Sequence, residues 1–292
     1  MLELIHVKGN SYYFASPAKI GLYRISETDV VLIDSGNDAS AAKRVLRTIN
    51  ERGWRLVAIY NTHSHADHIG GNAYLQKNTG CRVFAKGLEA AYTNYPILEP
   101  LTLFGAYPPK ELRHKFLLAE ASVAEPLSDA VLPQGLSLLP LSGHAMDMVG
   151  FLTDDGVAFL GDALSSQETL DKYKICYIYD IASYLETLRG LPEIAADIYV
   201  PSHAAPTEDI APLAQYNTEA TLAVAEDIVA LLATPKHFES LFSLLLTQYG
   251  APLNFQQYGL VGSTLRSYLA WLKNERRIDV IFENNFLCWK AI

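Results

Sequence analysis

The sequence predicts an α+β protein with a small helical appendage, and three observations carry that expectation. Apolar runs of strand length alternate with helical periods over roughly the first 210 residues, and most of these runs end in tight turns. After Ala211 the composition shifts to helix formers. The 292 residues are 50% apolar and 19% charged, enough for a large core and more than one ordinary domain needs. The expected division is a large unit over 1–215 and a small one over 216–292.

Strand candidates open the chain: SYYFAS from Ser11, GLYRIS from Gly21 and DVVLIDSG from Asp29. The third is a continuous apolar run that closes in Asp34-Ser35-Gly36. A helix follows from Asp38, with Ala42, Val45, Leu46 and Ile49 at helical spacing and Gly53 as its stop. RLVAIYNT from Arg55 reads as a buried strand, and HIGGNAYLQKNTG, from His68 to Gly80, as the next helix. From Asn94 to Gly135 neither period is clean. LSLLPLSG then restores the strand signal, and two apolar runs around Asp154-Asp155-Gly156 predict a β-hairpin. Asp180 is placed to cap a helix through Leu191, and DIYVPSH is a last strand ending in His203. Beyond residue 216 come helices, one with Leu265, Leu269 and Leu272 on a single face, and a terminal hairpin around Glu283-Asn284-Asn285.

Net charge is −9, which gives no general attraction to nucleic acid or to an anionic membrane. FESLFSLLLTQYG is too short and too interrupted to span a bilayer. The start, MLELIHVKGN, lacks the pattern of a signal peptide. Cys81, Cys176 and Cys288 are scattered without metal or redox spacing, so a cytoplasmic protein with reduced thiols is expected.

The histidines are less evenly spread. His63, His65, Asp67 and His68 share one loop after a strand, while His144, Asp162 and His203 each follow a strand at a turn beside Gly143, Gly161 and Ser202. His6, His114 and His237 fit no such setting and read as structural or surface residues. Imidazoles are the commonest ligands of zinc and similar ions, and a carboxylate can bridge two of them. Two ions a few ångströms apart can activate a water and clamp attacking and leaving oxygens, so the pattern predicts hydrolysis.

His63-x-His65-x-Asp67-His68 with Gly70-Gly71, then His144, Gly161-Asp162 and His203 in that order, resembles the metallo-β-lactamase superfamily over about residues 5–210. The resemblance implies a four-layer αββα sandwich with the site at one edge of the two sheets. It assigns His63, His65 and His144 to a first metal, Asp67, His68 and His203 to a second, and Asp162 to both. Asp34 would orient ligands from behind, and Asp67 would also steer the attacking hydroxide and its proton. An aspartate at 162 is unlike true class B1 and B2 lactamases and resembles the glyoxalase II, lactonase and phosphodiesterase branches.

The implied activity is hydrolysis of an ester, thioester or lactone of a small molecule by a metal-bound hydroxide. The two divalent ions would be zinc, with iron or manganese as alternatives. The rival readings are a phosphodiesterase or endoribonuclease, which would show a basic track, and a sulfur dioxygenase using a single iron. Residues 94–134, rich in proline and aromatics, form an apolar insertion that either roofs the metals or packs against a second subunit of a homodimer. Lys172, Tyr173, Lys174, Tyr177 and Tyr179 offer substrate contacts after Asp162, with no pattern that selects among them. The C-terminal piece resembles a winged helix. Its residues 218–292 hold six basic and seven acidic side chains, which favours packing, dimerisation or pocket closure over nucleic-acid binding.

Overall fold

The computed structural model describes residues 2–292. The first half of the chain builds a seven-stranded sheet with its strands in sequence order. Strands β1 (Leu4–Lys8), β2 (Ser11–Phe14), β3 (Ile20–Arg24) and β4 (Asp29–Ile33) pair antiparallel. Helix α1 (Ala39–Glu51), capped by the Asp38 carboxylate, then crosses to β5 (Arg55–Tyr60), parallel to β4. Helices α2 (Ala66–Ile69) and α3 (Asn72–Thr79) lead to β6 (Arg82–Ala85), and α4 (Gly87–Asn94) and α5 (Leu98–Phe104) to β7 (Ala124–Pro126) at the edge.

The helix expected from His68 to Gly80 is therefore two helices. At their break the Gly71 amide donates to the Gly36 carbonyl, and no side chain fits at Gly70 or Gly71. A Cβ on Gly70 would lie 2.1 Å from the Asn37 carbonyl oxygen, and one on Gly71 2.3 Å from that of Ser35. The turn after β4 is pressed onto this point, with the Ser35 amide donating to the His68 carbonyl at 2.7 Å.

A second sheet, ordered β11-β10-β9-β8, comes from β8 (Leu136–Pro140), β9 (Val149–Thr153), β10 (Val157–Gly161) and β11 (Ile198–Pro201). Between β10 and β11 lie α6 (Gln167–Tyr173) and α7 (Ile181–Gly190), the latter capped by Asp180 as expected. Strand alternation distributes the core over both faces. In β4, Val30 and Leu32 pack under α1, while Val31 and Ile33 face Phe151 and Phe159 of the second sheet. In β10, Val157 and Phe159 point inward and Ala158 and Leu160 outward. With helices over both outer faces the result is the αββα sandwich.

The rest of the chain is α8 (Ala211–Leu231), β12 (Lys236–His237), α9 (Phe238–Tyr249), α10 (Phe255–Asn274), β13 (Ile278–Glu283) and β14 (Phe286–Ala291). Its strands form a small sheet ordered β12-β14-β13. Residues 215 and 216 fall inside α8, and Val224, Ile228, Leu265 and Leu269 share one core with Leu160 and Leu188. The Asn217 carboxamide locks this junction: it accepts from the Ser165 amide and the Tyr184 hydroxyl and donates to the Ser165 carbonyl. Cys81, Cys176 and Cys288 are unpaired, and among the described residues no helix is long and apolar enough to cross a membrane.

Gly143 shows how tightly backbone geometry is set beside the site. Its φ is +127°, and a Cβ there would lie 2.3 Å from the backbone nitrogen of Tyr184, whereas Gly53, also at positive φ, has nothing within 4 Å. Gly143→Ala is expected to cost about 3 kcal/mol of unfolding free energy and Gly53→Ala only about 1 kcal/mol. Urea unfolding of the two variants measures the difference; equal losses would contradict the steric account.

Candidate metal centre

The site gathers at one edge of the sandwich because strand directions put the chain turns there. Parallel β4 and β5 deliver Asp34 and the Asn61–His68 loop to the same end. Parallel β10 and β11 deliver Asp162 and His203, and β8, antiparallel to β9 as is β10, brings the His144 loop alongside. The Val149 amide donates to the Thr62 carbonyl at 3.0 Å, stitching the two sheets at this edge.

All seven expected ligand positions converge. His65 Nδ1 lies 3.0 Å from both His63 Nε2 and His144 Nε2. Asp162 Oδ2 lies 3.5 Å from His144 Nε2 and 3.3 Å from His203 Nε2, while Asp162 Oδ1 lies 3.2 Å from His68 Nε2. Asp67 Oδ2 stands 3.3 Å from His203 Nε2 and 3.8 Å from His68 Nε2. The ligand atoms of His63, His65 and His144 fall within 4.8 Å of one another, as do those of Asp67, His68 and His203. His63, His68 and Asp162 form a third such group between them.

The outer ring nitrogens of His63, His68, His144 and His203 are spoken for, which fixes what these four rings turn towards the centre. His144 Nδ1 donates to the Tyr177 carbonyl at 3.1 Å and His203 Nδ1 to the Pro17 carbonyl at 3.0 Å. His68 Nδ1 lies 2.8 Å from Asp34 Oδ2. The Thr62 hydroxyl donates to Asp34 at 2.7 Å, so its oxygen accepts from His63 Nδ1 at 2.9 Å. Asp34 therefore orients one histidine of each trio, directly or through Thr62, and it does so from a left-handed backbone at φ +65°. Such outer partners set tautomer and ring direction in metal sites.

The cluster fits cations better than it fits itself. A neutral imidazole carries one N–H, so His65 Nδ1 cannot satisfy two neighbouring ring nitrogens that are themselves acceptors. His68 Nε2 and Asp162 Oδ1 are buried without a hydrogen-bond partner, close together yet not aligned for a bond. Two ligands about 2.1 Å from a tetrahedral ion would stand about 3.4 Å apart, close to the separations here. Burial holds His63 and His144 below the usual imidazole range and pushes His65 down to about 3, leaving unprotonated lone pairs. On the other side, Asp162 raises His203 to about 10. Burial opposes protonation of His68, but Asp162, Asp67 and Asp34 together outweigh it. Burial likewise opposes charge on Asp67, yet His68 and His203 hold it near 2. Without metal, these protons stand in for the second cation.

Three residues not anticipated from the sequence stand around the loops. Glu89 on α4 is buried; it accepts from the Ser64 amide at 2.9 Å and the Asp147 amide at 3.1 Å, tying the His63–His65 loop to the His144 loop. Glu99 on α5 is buried, and burial, with Asp67 adding to it, pushes its carboxyl well up. Lys19 reaches the Pro201 and Ser202 carbonyls, holding the His203 loop. The one signal for Glu89 and Glu99 is a lone acid in an apolar run, as in ILEPLTLF. His6, His114 and His237 stay outside the cluster; His6 bonds the Gly9 carbonyl and His237 caps α9. Of the five candidates after Asp162, Tyr177 and Tyr179 line the cavity over the site and Tyr173 an adjoining one; Lys172 and Lys174 line neither.

A sequence profile of the metallo-beta-lactamase superfamily matches residues 15–203. The hydroxyacylglutathione hydrolase of Methylococcus capsulatus is 32% identical over 128 residues, 44% of this chain and 41% of that protein. The protein of that name from Rhodopseudomonas palustris strain BisB18 is 34% identical over 132 residues, 44% and 42% of the two chains. The matched part thus spans about two fifths of each relative's length. Among solved structures, a beta-lactamase domain protein from Burkholderia ambifaria has a TM-score of 0.78 at 16% identity, covering 99% of this chain and 94% of its own. A metallo-beta-lactamase family protein from Thermus thermophilus has a TM-score of 0.71 at 19% identity, over 100% and 98%. These two share the fold over the whole length, including the C-terminal elements.

Metal uptake is expected to release protons, because His203 and His68 are protonated in the metal-free chain and must be neutral as ligands. Affinity therefore rises with pH up to about 10, the value to which Asp162 raises His203. Zinc titration calorimetry in two buffers of different protonation enthalpy reads this directly, and identical heats would contradict it. Asp34→Asn should weaken zinc binding about 10–100-fold by chelator competition while leaving the fold intact.

Proposed function

The chain belongs to the metallo-β-lactamase superfamily, and from that membership we propose that it is a binuclear metal-dependent hydrolase of an ester, thioester or lactone. The observation that carries this reading is the pair of trios that converge within 4.8 Å, with Asp162 reaching both. His63, His65 and His144 would hold one ion, Asp67, His68 and His203 the other, and Asp162 would contact each. Two bound divalent ions, zinc by the balance of imidazole over carboxylate ligands, supply Lewis acidity to activate a water and polarise a carbonyl.

The chain's own groups supply the remainder. Asp67 is partly open to the cavity, so from its place beside His68 and His203 it can orient the attacking water and accept its proton. Tyr177 packs its ring edge-on to His65 and His144, at centroid distances of 5.3 and 5.7 Å, and its backbone carbonyl fixes His144. Residues of α5 and of the segment before β7, such as Leu103 and Phe116, cover the cavity and limit its access to water.

The relatives named as hydroxyacylglutathione hydrolases favour a carbonyl over a phosphorus centre. So does the lining of the two cavities beside the cluster, which contains no lysine or arginine among the described residues and hence no basic track for a nucleic acid.

Protein purified without chelators is expected to carry close to two divalent ions per chain by elemental analysis. Asp162→Ala should lose both together and abolish hydrolysis in a screen of thioesters, lactones and phosphodiesters. One redox-active iron per chain, with oxygen consumption and no hydrolysis, would replace this reading with oxygen chemistry.

A further inference from the structure

Resting on the reading of the site as an acyl-group hydrolase, we infer that it takes an uncharged, apolar acyl group and a leaving group free of carboxylates, so that glutathione thioesters are poor substrates. The cavity above His65, Asp67, His144 and Asp162 has a volume of about 270 Å³, below the range of about 300–1,000 Å³ usual for drug-sized ligands. Its walls are Leu103, Phe116, Leu117, Met146, Leu260 and the ring of Tyr177. Leu103 and Leu117 form one apolar cluster with Leu112, against which Tyr177 and Leu260 pack. The wall comes from four separated segments, the α5 region, the His144 loop, the stretch after Asp162, and α10. They are fastened together: the Ser267 hydroxyl of α10 donates to the Tyr179 carbonyl at 2.6 Å, and the Ile178 amide to Thr264 Oγ1 at 3.2 Å.

Apart from the cluster itself, the charged side chains on this wall are Glu89 and Glu99, both buried. Whichever charge state they hold, neither can pair with an anion as a cation would. An ionised group buried without a partner costs several kcal/mol, so a carboxylate far from the reacting carbonyl would be rejected. Bound ions would neutralise only the end of the substrate that touches them. The polar atoms on offer along the wall are neutral, including Thr102, already bonded to the Tyr92 hydroxyl at 2.6 Å, and Gln256. Two widely spaced carboxylates, as in glutathione, have no counterpart there.

The test uses the zinc-loaded full-length protein and uncleavable amides, so that binding is read apart from turnover. N-propylhexanamide is compared by calorimetry with the same amide bearing a terminal sulfonate, an anion that coordinates zinc weakly. The neutral amide should bind at least about tenfold tighter. Hexanoyl thioesters of N-acetylcysteamine and of glutathione should differ at least about tenfold in kcat/KM in favour of the former. Equal or reversed preference overturns the inference, as does failure of the neutral amide to bind within its solubility. If the neutral amide is preferred but neither thioester is cleaved, the pocket assignment stands and the hydrolase reading falls. Leu260→Arg should shift the amide ratio towards the sulfonate about tenfold at unchanged metal content, and Met146→Arg, on another segment of the lining, serves the same purpose. A ratio unmoved in both folded variants would also overturn it.

Discussion

Five imidazoles and two carboxylates are confined within a few ångströms at one edge of this protein, and such a set cannot satisfy itself. Lone pairs of His63, His65 and His144 point at one another, and His68 and Asp162 each bury an unpartnered atom. Only cations relieve this, whether protons on the Asp67, His68 and His203 side or metal ions on both. The sandwich can be understood as the frame that holds these groups against their mutual repulsion. Two sheets covered on both faces give five rigid strand ends at a common edge, and rigid ends are what a ligand set of this density requires.

The same confinement explains the outer ring of hydrogen bonds. Each histidine that uses Nε2 towards the centre commits Nδ1 to a fixed acceptor, drawn from backbone carbonyls at Pro17 and Tyr177 and from the Asp34–Thr62 pair. Glu89 works one layer further out, on the backbone of the loops rather than on the rings. The chain thereby separates two tasks. Imidazoles and aspartates hold charge, while buried carboxyls and carbonyls hold geometry.

Much of this was legible in the sequence, and the reasons differ by element. Helix α1 was legible because its apolar period is strong and both ends carry their signals, Asp38 and Gly53. The convergence of the seven residues was legible because one loop carries four of them and the others each follow a strand. Glu89 was not, since it ties the loops through the backbone amides of Ser64 and Asp147, and no side-chain type announces those. Strand β7 is three residues long and ends in proline, too little for a pattern. The cavity wall escaped for another reason. Leu103, Leu117, Tyr177 and Leu260 satisfy one another across three distant segments, and periodicity reports only what neighbours in sequence do.

Asp34 carries a consequence for what this chain can become. Its backbone lies at φ +65°, a region that glycine, asparagine and aspartate enter at least cost. Its two oxygens meet the Thr62 amide, the Thr62 hydroxyl and His68 Nδ1, three donors that glycine cannot meet at all and asparagine meets with one acceptor oxygen too few. The backbone filter and the acceptor filter overlap in a single amino acid. A position so constrained has almost no neutral neighbours in sequence space, so drift in this protein should run around it rather than through it. The cavity wall, built from leucines and aromatics that tolerate exchange, is where new specificities could be reached without passing through an inactive intermediate.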